Sequence, residues 1–204
     1  MSRAEIKARA RAQLGNNIFG GNWVTAVLVI AVFSLLVGVI NVIPGVGTLA
    51  SIVISGPLTY GLLKLFLNQA RDGAQMEVGG LFDGFKDDFA GTFLLSLLIS
   101  IFTFLWAILF IIPGIVKSFS YSMSFFIKKD HPEYTWRQCI DESRAMMDGH
   151  KWELFVQRLS FIGWMFVGSL CLGIGTLWVM AYMYAADAQF YENLKGAAPA
   201  VTEA

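Results

Sequence analysis

Ile111-Ile112-Pro113-Gly114-Ile115-Val116-Lys117 interrupts an apolar stretch that runs from about residue 89 to residue 127. Proline lacks the N–H that a helix interior needs, and glycine loosens the backbone, so the pair reads as a breaker. A bilayer is crossed by about 20 apolar residues. The stretch is too long for one crossing and, broken near its middle, reads as two helices joined by a very short turn. Val42-Ile43-Pro44-Gly45-Val46 divides the stretch 23–67 in nearly the same words, and Leu172-Gly173-Ile174-Gly175 divides 154–186. The expectation is an all-α integral membrane protein with six transmembrane helices in three hairpins, spanning about 23–43, 46–68, 89–112, 115–128, 154–172 and 175–192. The near-identical turns point to a repeated hairpin unit, or to a shared taste of membrane turns for Pro-Gly.

Composition agrees with lipid as the solvent. Of 204 residues, 56% are hydrophobic and 15% charged, with a mean hydropathy of +0.60; a soluble domain carries about a quarter charged residues. Lys+Arg and Asp+Glu are 15 each, which gives no electrostatic reason to expect a nucleic-acid partner. Cys139 and Cys171 are too few for a disulfide framework. Arg3, Lys7, Arg9 and Arg11 precede an apolar run as in a signal peptide, but Trp23–Ile43 is longer than such a core and reads as a retained span.

Charge placement sets the orientation. The basic residues before the first span, Lys64, Arg71 and Lys86 around the second connection, Lys128 to Lys151 in the third and Lys195 in the tail share one side if there are six spans. The positive-inside rule makes that side cytoplasmic, with both termini inside. Segment 115–128 is short and begins with Lys117; it tilts, thins the bilayer or re-enters, and a re-entrant segment would reverse every later orientation.

Amphipathic pieces fill the charged side. Residues 1–20 contain a basic amphipathic helix suited to anionic lipid, and Phe82, Phe85 and Phe89 share a face among Asp83, Lys86, Asp87 and Asp88. In the cytoplasmic connection 129–151, Thr135 and Gln138 have capping-box spacing, predicting a helix over Trp136–Asp148 with Gly149 as its stop. Residues 195–204 read as a disordered tail, after a membrane domain covering 21–194.

Ionisable groups at membrane depth are the first functional candidates. If the last hairpin turns at Leu172-Gly173, Arg158 and Asp187 lie at equal depth and can pair, as a clasp or as a gating or headgroup site. Lys117 either snorkels to the outer interface or lines a pathway. His150, Lys151, Trp152, Phe82 and Phe85 are candidates for interfacial lipid or partner contact. Ser51/Ser55/Thr59, Ser96/Ser100/Thr103, Ser120/Ser124 and Ala181/Ala185/Ala188 form small-residue stripes, which suit close helix packing or a hydrated path. Gly56-Pro57 should kink the second span. No metal-ligand spacing, phosphate loop or nucleophile motif appears, so no catalytic residue, metal or cofactor is expected and an enzyme is disfavoured.

A family resemblance rests on Ser2-Arg-Ala-Glu-Ile-Lys-Ala8, Gly21-Asn-Trp23, Gly56-Pro-Leu58, Leu81-Phe-Asp-Gly-Phe-Lys86, Ile111–Lys117 and Tyr121-Ser-Met123. It continues through Glu142-Ser-Arg144, Met147, Gly149-His-Lys-Trp-Glu-Leu-Phe155 and Leu159-Ser-Phe-Ile-Gly-Trp164. Over roughly residues 1–194 the chain resembles a bacterial multi-pass membrane family termed domain of unknown function nine-seven-five. The family is similar to the membrane domain accompanying some glycerophosphodiester phosphodiesterases, whose catalytic domain has no counterpart here. The resemblance implies the bacterial plasma membrane and transfers no catalytic residue. Three functions follow as expectations: a non-enzymatic protein handling lipid or supporting envelope homeostasis, with membrane lipids as its partners; a small transporter or channel; or an assembly subunit docking a protein partner through 128–153. A homo-oligomer is also open.

Overall fold

A computed structural model describes residues 2–15, 17–42, 46–170 and 173–197. Met1, Asn16, Ile43-Pro44-Gly45 (where a turn is expected), Cys171, Leu172 and the residues beyond 197 lie outside the described residues. Those described form an all-helical protein without strands: α1 (Arg3–Leu14), α2 (Gly21–Asn41), α3 (Val46–Asp72), a 3₁₀ turn (Val78–Phe82), α4 (Asp83–Asp87), α5 (Phe89–Leu109), α6 (Ile111–Ser120), α7 (Ser124–Asp130), α8 (Trp136–Met146), α9 (Lys151–Leu170) and α10 (Ile174–Ala197).

Three of the described helices are long and apolar enough to cross a membrane, over Gly21–Ile40, Ala50–Asp72 and Phe89–Ile108, and they mark the chain as membrane-associated. Helices α9 and α10 have the length. Their polarity comes from Glu153, Gln157 and Arg158 in one and Asp187, Gln189 and Glu192 in the other. Helix α2 runs beside α3, α5 beside α6 and α9 beside α10.

The expected break at Ile112-Pro113-Gly114 falls elsewhere. Phe110 is extended (φ −158°, ψ 133°), and Pro113 and Gly114 sit in the first turn of α6. A first-turn proline gives up an N–H that has no intrahelical acceptor anyway, so it starts the helix instead of ending one. Segment 115–128 is not one helix either. It is interrupted at Tyr121–Met123, and the Ser143 hydroxyl of α8 donates to the Ser120 carbonyl (2.8 Å) while accepting from the Met123 N–H (3.2 Å). The face expected to carry Phe82, Phe85 and Phe89 on one helix is likewise divided among the 3₁₀ turn, α4 and α5, yet the rings still form a ladder. Successive centroids from Phe82 through Phe85 and Phe89 to Phe93 are 6.3, 5.8 and 6.1 Å apart.

The capping-box helix forms as Trp136–Met146, with Thr135 and Gln138 satisfying each other's orphan N–H groups. A second capping box, Ser2 with Glu5, starts α1. The apolar stripe of α1 is Ile6, Ala10 and Leu14, and all three are buried. The helix docks on α10 rather than resting its apolar face on lipid. Ala181, Ala185 and Ala188 of α10 are fully buried, and a helix so lined lets its neighbours approach closely.

Pro57 lies inside α3, and the reason for a glycine at position 84 is found against it. A Cβ on Gly84 would overlap the Pro57 backbone, so α4 lies directly on the α3 main chain. Two separate segments of the family pattern, Gly56-Pro-Leu58 and Leu81–Lys86, are therefore one packing contact.

The charged ends are tied together at Asp130, the last residue of α7, whose side chain is 5% exposed. Arg71 of α3 donates to both its oxygens at 2.6 Å. Tyr191 Oη (2.9 Å) and Lys195 Nζ (2.7 Å) of α10 donate to Oδ2, and Arg71 also holds Glu192 at 2.6 Å. Burial pushes the Asp130 carboxyl up, but the bonds from Arg71, Lys195 and Tyr191 outweigh it and hold it well below the usual carboxylate range. Nearby, Lys128 pairs with Asp88 (2.7 Å) and donates to the Pro132 and Tyr134 carbonyls (2.8 Å each).

Candidate functional site: an aromatic groove with a basic mouth

The expected pair forms. Arg158 Nη2 donates to Asp187 Oδ2 at 2.9 Å, and the guanidinium lies 5.6 Å from the Phe119 ring centroid. The pair leaves Arg158 Nε and Asp187 Oδ1 buried without a partner among the described residues. Next to it in the chain, Gln157 is 1% exposed and neither of its amide atoms is hydrogen-bonded among the described residues.

Of the other sequence candidates, Phe82 and Phe85 pack on each other and line a wholly apolar pocket with Leu36, Ile40, Ile54 and Leu58, while Lys117 and the His150–Trp152 segment make separate contacts. Lys117 sits over the Trp106 ring at 4.9 Å, a cation–π contact. His150 Nδ1 meets Glu153 at 3.2 Å, Lys151 reaches Asp148 at 3.8 Å, and Trp152, 70% exposed, stacks on Phe155 at 5.2 Å. Lys117 thus reaches from α6 to α5, whereas the contacts of His150, Lys151 and Trp152 lie within one turn of chain, and none of the four lines that pocket or the aromatic groove. Among the described residues no group of three or more His, Cys, Asp or Glu side chains is gathered as a metal site.

The site that sequence reasoning missed lies between α1, the start of α2, α9 and α10. It is a groove of about 540 Å³ lined by Lys7, Arg11, Ile18, Trp23, Phe161, Trp164, Val167, Gly168, Gly175, Trp178, Val179 and Tyr182. That volume falls within the ~300–1,000 Å³ of small-molecule sites. Its lining is aromatic and aliphatic except at one end, where the two cations stand.

Local chemistry fixes the walls. The Trp23 indole N–H donates to the Gly15 carbonyl (2.7 Å), the Trp178 N–H to Ile18 (3.1 Å), and the Tyr182 hydroxyl to the Lys7 carbonyl (3.0 Å). With their polar atoms engaged by α1 and the 15–20 connection, these rings turn hydrocarbon toward the groove. Trp164, 66% exposed, forms the open side. At the far end α9 and α10 touch backbone to backbone. A Cβ on Gly168 would come within 2.9 Å of the Gly175 carbonyl carbon, and one on Gly175 within 2.9 Å of the Gly168 Cα. From Phe161 to Gly168, and from Tyr182 to Gly175, the groove runs about 10 Å along both helices at 1.5 Å per residue.

At the mouth, Lys7 Nζ donates to Ser160 Oγ at 2.5 Å and lies 4.5 Å from the Phe161 ring centroid. Burial, with some repulsion from Arg3, pulls the Lys7 ammonium below its ordinary value. Most cations of the chain have a carboxylate partner. Among the described residues, Arg3, Lys7, Arg9 and Arg11 of α1 form no ion pair; α1's one acid, Glu5, caps its own helix through Ser2. The positive charge of α1 is thus left uncompensated beside the groove. Lys86 and Lys117 likewise form no ion pair among the described residues, but they do not line the groove; in the sequence the four α1 cations are only a basic run.

No curated protein and no solved structure matches the chain, so the likeness to the membrane domain of glycerophosphodiester phosphodiesterases gains no support from these comparisons. One family model does match, over residues 1–120 and again over 108–198. The chain therefore belongs to the family described as "Protein of unknown function (DUF975)".

Proposed function

We propose that the protein is a non-enzymatic, multi-pass protein of the bacterial plasma membrane that holds a lipid in the groove between α1, α2, α9 and α10. The observation that carries this reading is the groove itself: hydrocarbon and aromatic walls about 10 Å long, open on one side at Trp164, with unpaired cations at one end. An acyl chain wants the former and a lipid headgroup the latter. In this reading the chain crosses the bilayer several times, with both termini and the Asp130 network in the cytoplasm. Trp23, at the start of the first span, then stands near the inner interface, where indoles favour the boundary of lipid and water.

The test is extraction in mild detergent followed by native mass spectrometry. The wild type should retain lipid in roughly stoichiometric amount. Val179→Trp, which fills the groove from α10, should lose it while keeping its helical circular dichroism. Wild-type protein carrying no more lipid than a detergent-matched control membrane protein would refute the reading.

A second reading, a small transporter or channel, draws on the orphaned polar atoms of Gln157, Arg158 and Asp187. It requires solute flux in proteoliposomes that falls when Asp187 is changed to Asn.

A further inference from the structure

Resting on the lipid reading above, we infer that the groove selects an anionic, phosphate-bearing phospholipid from the inner leaflet, with Lys7 and Arg11 as its headgroup-specificity residues. Three observations combine. The cations stand at one end of the lining only, so an occupant is oriented with its anionic group there and its chain toward the Gly168–Gly175 crossing.

Neither cation has a carboxylate partner among the described residues, whereas Lys64, Arg71, Lys128 and Arg158 all do. A zwitterionic headgroup would bring its own ammonium to this already positive mouth; an anionic one brings only the charge that is missing.

Lys7 is also held in place. Its Nζ is bonded to Ser160 and rests against Phe161, and its backbone carbonyl is fixed by the Tyr182 hydroxyl. A positioned ammonium has less rotamer freedom to lose on binding than a free one. Arg11, one turn further along α1, adds a planar fork able to take two phosphate oxygens at once.

The decisive experiment presents delipidated full-length protein with an equimolar mixture of phosphatidylglycerol and phosphatidylcholine in micelles, and reads bound lipid by native mass spectrometry. Wild type should favour phosphatidylglycerol by about tenfold, equivalent to ~1.4 kcal/mol. Lys7→Gln and Arg11→Gln should each lower the preference, and the double variant should bring it close to unity while still binding lipid. Lys7→Arg should restore most of it. Thermal melts of each variant show whether the fold is kept, and Arg11→Gln, which breaks no hydrogen bond seen in the structure, guards against an unfolded Lys7 variant. Equal retention of the two lipids by wild type overturns the headgroup inference and leaves the lipid reading standing. Retention of neither overturns both. Displacement of phosphatidylglycerol by millimolar inorganic phosphate would mean the mouth binds free phosphate instead, which also overturns it.

Discussion

Replacing Asp130 with asparagine removes one negative charge from a side chain that joins three helices. In the folded protein Asp130 accepts from Arg71 twice, from Tyr191 and from Lys195, at 2.6–2.9 Å, with its carboxylate 5% exposed. Truncating one partner of a buried ion pair costs about 3–5 kcal/mol, because the remaining charge is left uncompensated. Two features reduce that figure here. Arg71 keeps Glu192 and is 22% exposed, and the asparagine carbonyl can still accept one or two of the four bonds. We expect a loss of about 2–3 kcal/mol. For a chain of this size, ~1 kcal/mol moves Tm by about 2–4 °C, so Tm should fall by about 4–12 °C. Differential scanning fluorimetry in detergent, with Arg137→Ala as the reference, is the assay. The Arg137–Asp141 pair is long (3.9 Å) and well exposed, and such pairs contribute about 0–1 kcal/mol. An Asp130→Asn protein no less stable than Arg137→Ala would mean the network is not a clasp, and the reasoning from burial would fail.

The same carboxylate sets a pH window. Its folded pKa is depressed, so its stabilisation is full above the unfolded value of about 3.9 and is lost as pH falls through the lower folded value. The difference in Tm between wild type and Asp130→Asn should therefore be flat from pH 8 to 5 and shrink only below about pH 4; shrinkage already at pH 6 would contradict this. Gln157→Leu removes two buried, unpartnered polar atoms and should raise stability by about 1–3 kcal/mol; a lower Tm would show that the amide has a ligand. Gly84→Ala forces a methyl into the Pro57 backbone and should cost about 1–3 kcal/mol, while Gly79→Ala, which meets nothing within 4 Å, should cost far less. Burial pushes the Cys139 thiol up to about 11, so iodoacetamide at pH 8 should leave it unmodified until the protein is unfolded; prompt labelling of Cys139 in a peptide map would count against that burial.

Features encoded within a few residues, or by simple antiparallel bookkeeping, were legible in the chain. The Thr135–Gln138 box needs only its four residues, and the Arg158–Asp187 pair needs only the position of a turn. Pro113 misled because the same ring that ends a helix also starts one, and which of the two happens depends on Phe110, a residue with no turn signal of its own. The groove was not legible at all. It draws Lys7 and Arg11 from one helix, Trp23 from another, and Phe161, Trp164, Trp178 and Tyr182 from a pair more than a hundred residues away. No local motif announces such a site, and the cluster His150-Lys151-Trp152, which has the composition of one, is occupied by its own neighbours.

Ser143 holds the two loose backbone ends at the Tyr121–Met123 interruption. That hydroxyl lies some twenty residues further along the chain, on a helix outside the apolar stretches. A buried N–H or C=O left without a partner costs about 1–3 kcal/mol, so the junction of α6 and α7 is complete only when α8 packs against it. A single hydroxyl on a polar helix thus closes a gap in the apolar part of the chain, and Ser143→Ala would leave both backbone groups without that partner.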